Sequence, residues 1–375
     1  MTTEVLNKKQ PETLISERQI RKSFLGVFLK WEWFLFVLIL LVVFINTRLS
    51  PFFLNAVNLS RTSSDFMEIG LMMLPMVMII VTGNIDLSVA SNMGMSASLM
   101  GLMHNMGVNI WLAAFAGLAL GTLGGVLNGY LVAYVKLPSL VVTLGTYAFF
   151  RGIAFGFLGD QAARNYPSAF TYIGQGRILD TLIPFSVALF SVLAIVFGLV
   201  LHRTTFGRQL YTIGNNEPAA KYSGVPVEKI KFILFIISGF ISALAGLVLA
   251  ARFGSTRPDN GTGLELAVIT AAVLGGLDIN GGKGSMYGAT LALVLIGLLR
   301  FGMGLLNIQS QVQSMVIGLL LIVSILVPHI GQQISFTRQI KFRWKSVLAV
   351  IGILIVFTAF FIFFFWSRAP IIAQF

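Results

Sequence analysis

Cysteine is absent from the 375 residues. That excludes disulfides, thiolate metal sites, a cysteine nucleophile and a lipoprotein anchor. Charge is scarce, with Asp, Glu, Lys and Arg making up only 11% of the chain. The three histidines, His104, His202 and His329, are scattered, with no His-x-x-x-His pair and no carboxylate at ligand spacing; no metal site is expected. There is no Gly-x-Ser-x-Gly elbow and no GxxxxGK[ST] loop, so neither a hydrolase nor a nucleotide site is read here. Gly281, Gly282, Lys283 and Gly284 suit a tight turn. The chain is therefore expected to be no enzyme and to bind no cofactor of its own.

Apolar residues fill the space that charge leaves. They make up 56% of the chain, with 38 glycines and a mean hydropathy of +0.87. A soluble core cannot absorb that much apolar surface, so the sequence predicts a polytopic membrane protein. The net charge of +12 is spread over loops and tails, which suits a bilayer and anionic lipid better than nucleic acid.

Apolar runs fall at about 33–47, 67–82, 89–103, 110–135, 139–157, 183–202, 230–252, 264–276, 284–302, 311–328 and 347–366. They are continuous rather than alternating, which favours helices over a β-barrel. The expectation is an all-α fold of about ten core transmembrane helices, some discontinuous, with an eleventh at the C-terminus. The polar first 30 residues carry Lys8, Lys9, Arg18, Arg21, Lys22 and Lys30 and read as a cytoplasmic tail rather than a signal peptide. The organisation expected is thus a tail at 1–30, a membrane domain at 31–335, and a basic segment with an added helix at 336–375. With the N-terminus inside, alternate threading puts Lys136, residues 203–231, Lys283 and the basic 338–345 inside as well, the side richer in positive charge.

Residues 203–231 are the longest strongly polar stretch between apolar runs. Asn216 suits an N-cap, Glu217 and Pro218 a first turn, and Gly224 the left-handed residue after the last turn. The pattern predicts a helix of about two turns over 217–223 that presents Ala219 and Ala220 beside Tyr222, a rigid knob able to pass a push from a soluble partner. An ordinary loop holding one turn of helix is the plainer alternative.

Two segments share a Gly-x-(Ile/Leu)-Asp-(Leu/Ile) core: TGNIDLSVAS at 82–91 and GGLDINGGKG at 275–284. Threading puts both on one side, as in a parallel repeat. Asp86, with Ser88 after it, and Asp278 read either as helix caps or as polar groups at a break lining a pathway. Asn128 and Gly129, and Thr143 and Gly145, suit helix–helix packing, while Asn128 and Arg151 are also polar groups inside apolar spans. The outer loops 158–182, with Asp160, Arg164, Tyr166, Tyr172, Arg177 and Asp180, and 253–263 are either docking surfaces or solvated loops.

Taken together, TGNIDLSVAS (82–91), LNGYLVAYVKLPSLVVTLGTYAFFRG (127–152), TTFGRQLYTIGNNEPAAKYSGVPVEKIK (204–231) and GTGLELAVITAAVLGGLDINGGKGSMYGA (261–289) resemble the membrane permeases of bacterial monosaccharide ABC importers, the ribose, xylose, rhamnose and autoinducer-2 group. The resemblance runs over about 30–335, and 62–75 look most like the autoinducer-2 and rhamnose branch. It implies a multi-pass protein of the bacterial inner membrane that pairs with a second permease, identical or paralogous. A cytoplasmic ATP-binding subunit that consumes the ATP and an extracytoplasmic sugar-binding protein complete the assembly. It also implies that the polar central loop, Asn216, Glu217, Ala219, Ala220, Tyr222 and Gly224 included, meets the ATPase. Asp86, Ser88, Asn128, Thr143 and Asp278 are the candidates for the pathway or its gate. Asn84 departs from the family's usual Gly-Gly-Ile-Asp-Leu-Ser, and 336–375 extend beyond its usual end. The alternative from a different class is an ion- or proton-coupled secondary carrier using Asp86 and Asp278. The lack of other embedded acids counts against it.

Overall fold

The computed structural model describes residues 31–178 and 181–336. The expected tail at 1–30, Asp180 and the expected extra helix at 347–366 lie outside them. The described residues form helices joined by short turns, with only two isolated bridges, Ala163–Thr256 and Arg177–Pro184, outside that pattern. In order the helices are α1 (Trp31–Leu49), α2 (Ala56–Ser64), α3 (Met67–Val81), α4 (Val89–Asn105), α5 (Ile110–Ala133), α6 (Ser139–Leu158), α7 (Ser168–Gln175), α8 (Phe185–Arg203), α9 (Thr205–Asn215), α10 (Glu217–Tyr222), α11 (Val227–Phe253), α12 (Leu264–Leu274), α13 (Met286–Leu305) and α14 (Ser310–Phe336). The chain divides into two units, Met1–Ser324 and Ile325–Phe375, and α1 to α13 all belong to the first.

Each apolar run up to residue 328 coincides with one helix. Six described helices are long and apolar enough to cross a membrane, or seven if α2 and α3, bent by 51°, make one span. Of the remaining apolar helices, α4 has 17 residues. The 11 residues of α12 reach only about 16 Å, against a hydrocarbon core of about 30 Å. The membrane class therefore fits, while helix length alone does not yield the larger number of crossings expected.

The centre and the rim differ in composition. Every residue of α3 is buried, and α4 buries Ser91, Asn92, Ser96 and Ser98 along with Met93, Met95 and Met100. The flanking helices instead expose large apolar side chains: Phe36, Val37 and Phe44 on α1, Leu112 and Phe115 on α5, Val141 and Phe149 on α6, and Ile195 on α8. An apolar rim around a partly polar centre is what lipid solvation selects, because water is no longer there to drive apolar side chains inward.

Glycine sets the close contact between α5 and α11. A Cβ on Gly125 of α5 would stand 2.4 Å from the Phe235 carbonyl oxygen of α11, and one on Gly239 of α11 would stand 2.5 Å from that of Gly121. The backbones of α5 and α11 approach as closely as they do because these positions lack side chains. Gly129 likewise packs on Phe232, whereas Gly145 of α6 faces open space, so the packing role expected of it is not seen among the described residues.

Candidate functional site

The first Gly-x-Ile-Asp segment is the break between α3 and α4. Gly83 turns the chain at φ +76°, a conformation that L side chains resist. Asp86 follows and is buried. Its Oδ1 accepts from the Ser88 amide at 3.0 Å and the Ser88 hydroxyl at 2.6 Å, and its Oδ2 accepts from the Ser238 hydroxyl of α11 at 2.8 Å. The Asn128 side chain of α5 donates to Ser88 Oγ at 2.8 Å. The cap reading of Asp86 is corrected: the N-cap of α4 is Ser88, without a side-chain cap hydrogen bond, and Asp86 braces the turn that precedes it. The carboxylate closes the turn that opens α4, and the same turn joins α4 to α5 and α11 through buried hydroxyls.

Thr143 supports this cluster without joining it. Its hydroxyl lies 2.8 Å from the Ser139 carbonyl and 3.3 Å from that of Ile85, while Ser139 Oγ accepts from the Ile85 amide at 3.2 Å. One turn along α4, the Asn92 side-chain amide donates to the carbonyls of Gly121 at 3.0 Å and Gly239 at 3.3 Å. The Oδ1 atoms of Asn92 and Asn128 and the Ser242 hydroxyl are buried without a partner. A seam of small and amide side chains therefore runs between α4, α5 and α11. Ser238 and Asn92 belong to it, Ser139 of α6 borders it, and none of the three was singled out from sequence. The signal available was the recurrence of Ser and Asn inside otherwise apolar runs.

Asp278 stands apart from Asp86. It sits in the turn between α12 and α13, where its Oδ1 accepts from the Asn280 amide at 3.0 Å and its Oδ2 lies 3.6 Å from Lys283 Nζ. The two loops nevertheless meet, since the Gly282 amide donates to the Val81 carbonyl at 2.8 Å. The scarcity of embedded acids needs correction, because Glu68 and Glu265 are buried as well. Glu68 is paired with Arg252 at 2.8 Å, which sequence order alone did not reveal.

The polar central stretch is mostly helical. Thr204 caps α9 by accepting from the Gly207 amide at 3.3 Å, so the expected loop is two helices in series. The second, α10, has the predicted ends. Asn216 Oδ1 accepts from the Ala219 amide at 2.9 Å, and Gly224 is left-handed at φ +82°. Glu217 pairs with Lys231 at 2.7 Å, and Lys221 pairs with Glu228, which fastens α10 to the start of α11. Hydrogen bonding to Glu228 holds the Lys221 ammonium above its usual range. Tyr222 is 94% exposed and Ala219 is exposed, but Ala220 is fully buried. The presentation expected of Ala220 is therefore corrected: with one residue in 3.6 per turn facing the body, a short amphipathic helix must turn one alanine inward.

The foot of α9 touches both loops. A Cβ on Gly214 would lie 1.9 Å from the Val81 carbonyl and 2.3 Å from the Gly282 amide. Tyr211 donates to the Gly284 carbonyl at 2.8 Å. The start of α1 reaches the same end of the bundle, where Trp31 donates to the Leu274 carbonyl at 2.7 Å and Glu32 lies 3.0 Å from Ser285 Oγ. At the far end of α11, about 40 Å away by helical rise, the loops at 159–167 and 254–263 are tied by Ala163–Thr256 pairing and by Tyr166 donating to Thr256 at 2.8 Å. Tyr166 is thereby buried, and Tyr172 remains exposed.

Residues 58–325 match the family described as branched-chain amino acid transport system / permease component. The chain is 36% identical over 317 residues to the autoinducer 2 import system permease protein LsrD of Enterobacter sp. (strain 638), covering 83% of this chain and 95% of that protein. The identity is also 36%, over 322 residues, to the protein of that name from Photorhabdus temperata, covering 84% of this chain and 95% of the relative. The Escherichia coli (strain K12) protein of that name gives 36% over 322 residues, with 84% and 96% covered. No solved structure matches.

Proposed function

The chain belongs to the branched-chain amino acid transport system / permease component family, and from that premise we propose that it is the pathway-forming subunit of an ATP-driven importer for a small polyhydroxylated solute, autoinducer 2 or a related monosaccharide. A separate ATPase binds α10 on the cytoplasmic side, a second permease completes the pathway, and a solute-binding protein docks at the opposite end. The N-terminus lies in the cytoplasm and the body in the bacterial inner membrane. In this reading α3 with α4, and α12 with α13, are discontinuous elements of a bundle of about ten crossings.

The observation that carries the reading is the position of α10. It is capped at both ends, fastened by ion pairs, exposed at Tyr222, and separated by only Asn215 and Asn216 from Gly214, which touches the break beside Asp86. A push on α10 is thus delivered through backbone contacts to the polar turn. The test uses the assembled transporter with Ala219→Arg and Tyr222→Ala. Uptake falls about tenfold or more at unchanged chain abundance, and ATP hydrolysis ceases to track uptake. Wild-type coupling in both variants would remove α10 from this role.

The buried Asp86 favours one other reading, a proton-coupled carrier. Uptake that stops on adding an uncoupler while ATP is held constant would select it.

A further inference from the structure

The last turn of α8 and the first turn of α13 share one hydrogen bond. The Met286 amide, the first of α13, donates to His202 Nε2 at 3.1 Å. The free amides at a helix start need acceptors. Ser285 supplies one, accepting from the Gly288 amide at 3.0 Å. His202 supplies another from 84 residues away in the chain. Its ring lies flat against that of Tyr287, with centroids 5.1 Å apart and planes 8° from parallel. An amide only donates, so Nε2 must keep its lone pair. The contact therefore selects the neutral imidazole with its proton on Nδ1.

The place of this bond gives it a use. His202 is followed by Arg203 and then by Thr204, the residue that ends α8 and caps α9. Helix α13 opens directly after the turn that holds Asp278. His202 thus joins the hinge between α8 and α9, at the root of the stretch that carries α10, to the helix that follows the second break. Tyr211 of α9 holds the same turn through the Gly284 carbonyl at 2.8 Å.

A proton on Nε2 reverses the contact. The charged ring has two donors and no acceptor, so it cannot take the Met286 amide. Its positive charge also stands against a helix start that already carries partial positive charge. The charged and titratable groups around it are Arg203 beside it in the chain, Tyr287 against its ring, Tyr211 of α9, Lys283 in the turn before α13, and Glu32 of α1, which meets Ser285. Helix α3, also packed on α8, ends here in Ile79, Ile80 and Val81 and adds none.

We infer that His202 is a positioning residue of the import cycle: in its neutral form it holds the hinge between α8 and α9 to the start of α13, and acid on the cytoplasmic side releases it. The inference rests on the importer reading and adds to it a dependence on cytoplasmic pH. A push on α10 reaches the second break only while the bond is made, so transport per ATP falls as the ring takes up its proton.

The experiment compares wild type, His202→Gln and His202→Phe in the complete importer in proteoliposomes. Autoinducer 2 and D-ribose are the probes, and solute moved per ATP hydrolysed is the readout. Both sides are held at about pH 7.5 and then at about pH 5.5, above and below the ordinary histidine value. The Gln amide oxygen can stand where Nε2 stands and does not titrate, whereas Phe keeps a ring against Tyr287 without an acceptor. All three share one ATPase and one binding protein, so the pH dependence of those partners cancels in the ratio of variant to wild type. At the higher pH, Phe falls about tenfold below wild type and Gln stays within about threefold of it. At the lower pH, wild type falls toward Phe and Gln exceeds wild type by about tenfold. A ratio of Gln to wild type that is the same at both pH values would overturn the inference, whether or not the Phe variant folds. So would a Phe variant that matches wild type at the higher pH. Wild-type proteoliposomes that move neither probe with ATP at either pH would overturn the importer reading itself, and this inference with it.

Discussion

The Gly282 amide donates a 2.8 Å hydrogen bond to the carbonyl of Val81, joining the loop after α12 to the last residue of α3. Gly281 packs on Gly83 across the same contact, at φ +92° against φ +76°. The two Asp-bearing segments that look alike in sequence are thus bound to each other, and Gly214 of α9 closes the contact from the third side.

That junction sets the first prediction. A methyl at Gly214 would sit 1.9 Å from a backbone carbonyl, which cannot move aside as a side chain could. Gly214→Ala therefore separates α9 from the loops. Uptake in the assembled transporter falls about tenfold or more, whereas Gly145→Ala, which meets nothing within 4 Å, leaves it within about twofold.

The two aspartates separate cleanly. Asp86→Ala strips acceptors from the Ser88 amide and hydroxyl and from the Ser238 hydroxyl, all buried. Leaving such donors unpaired costs on the order of 3 kcal/mol, seen as a lower unfolding temperature in detergent. Asp278→Ala loses a turn contact and a loose ion pair with an exposed lysine and costs under about 1 kcal/mol. If uptake stops in Asp278→Ala at wild-type stability, Asp278 serves as a coupling carboxylate and the proton-coupled reading gains.

If the proposed solute-binding protein docks at the end of α11 away from α10, its docking has a charge signature. A cavity of about 420 Å³ there is lined by Ser60, Arg61, Asp65, Arg177 and Arg252 among others. Arg252 is already paired with Asp65 at 2.7 Å and with Glu68, while Arg61 and Arg177 make no ion pair among the described residues. Arg61→Glu with Arg177→Glu weakens stimulation of ATP hydrolysis by the solute-binding protein about tenfold at low salt, and less at about 0.5 M, where screening shortens the reach of charge. Equal stimulation at both salt concentrations would place docking elsewhere.

Alkaline stability depends on Tyr166. Burial pushes its phenol from 10.0 up to about 12, and the hydrogen bond to Thr256 works in the other direction. A pKa raised by folding gives stability that is present below the unfolded value and lost as pH rises through the folded one. Unfolding of the detergent-solubilised protein therefore becomes easier between about pH 10 and 12, and Tyr166→Phe removes that part of the slope. A slope unchanged by the substitution would show that Tyr166 titrates freely.

The sequence by itself determined the class, the long apolar helices and the ends of α10. Continuous apolar runs require helices in lipid, and an Asn cap followed by Glu-Pro and a later Gly acts over one or two turns, so local chemistry suffices to place them. It also picked out Asp86, Ser88 and Asn128, because polar groups in apolar runs are conspicuous. Tertiary structure alone decided which aspartate is buried, since Asp86 and Asp278 sit in near-identical local sequence and differ only in what packs over them. It also decided that Ala220 faces inward and that Glu68 meets Arg252 from the far end of another helix. Those relations join residues far apart in the chain, and a periodicity of 3.6 residues carries no record of which helix face will meet which.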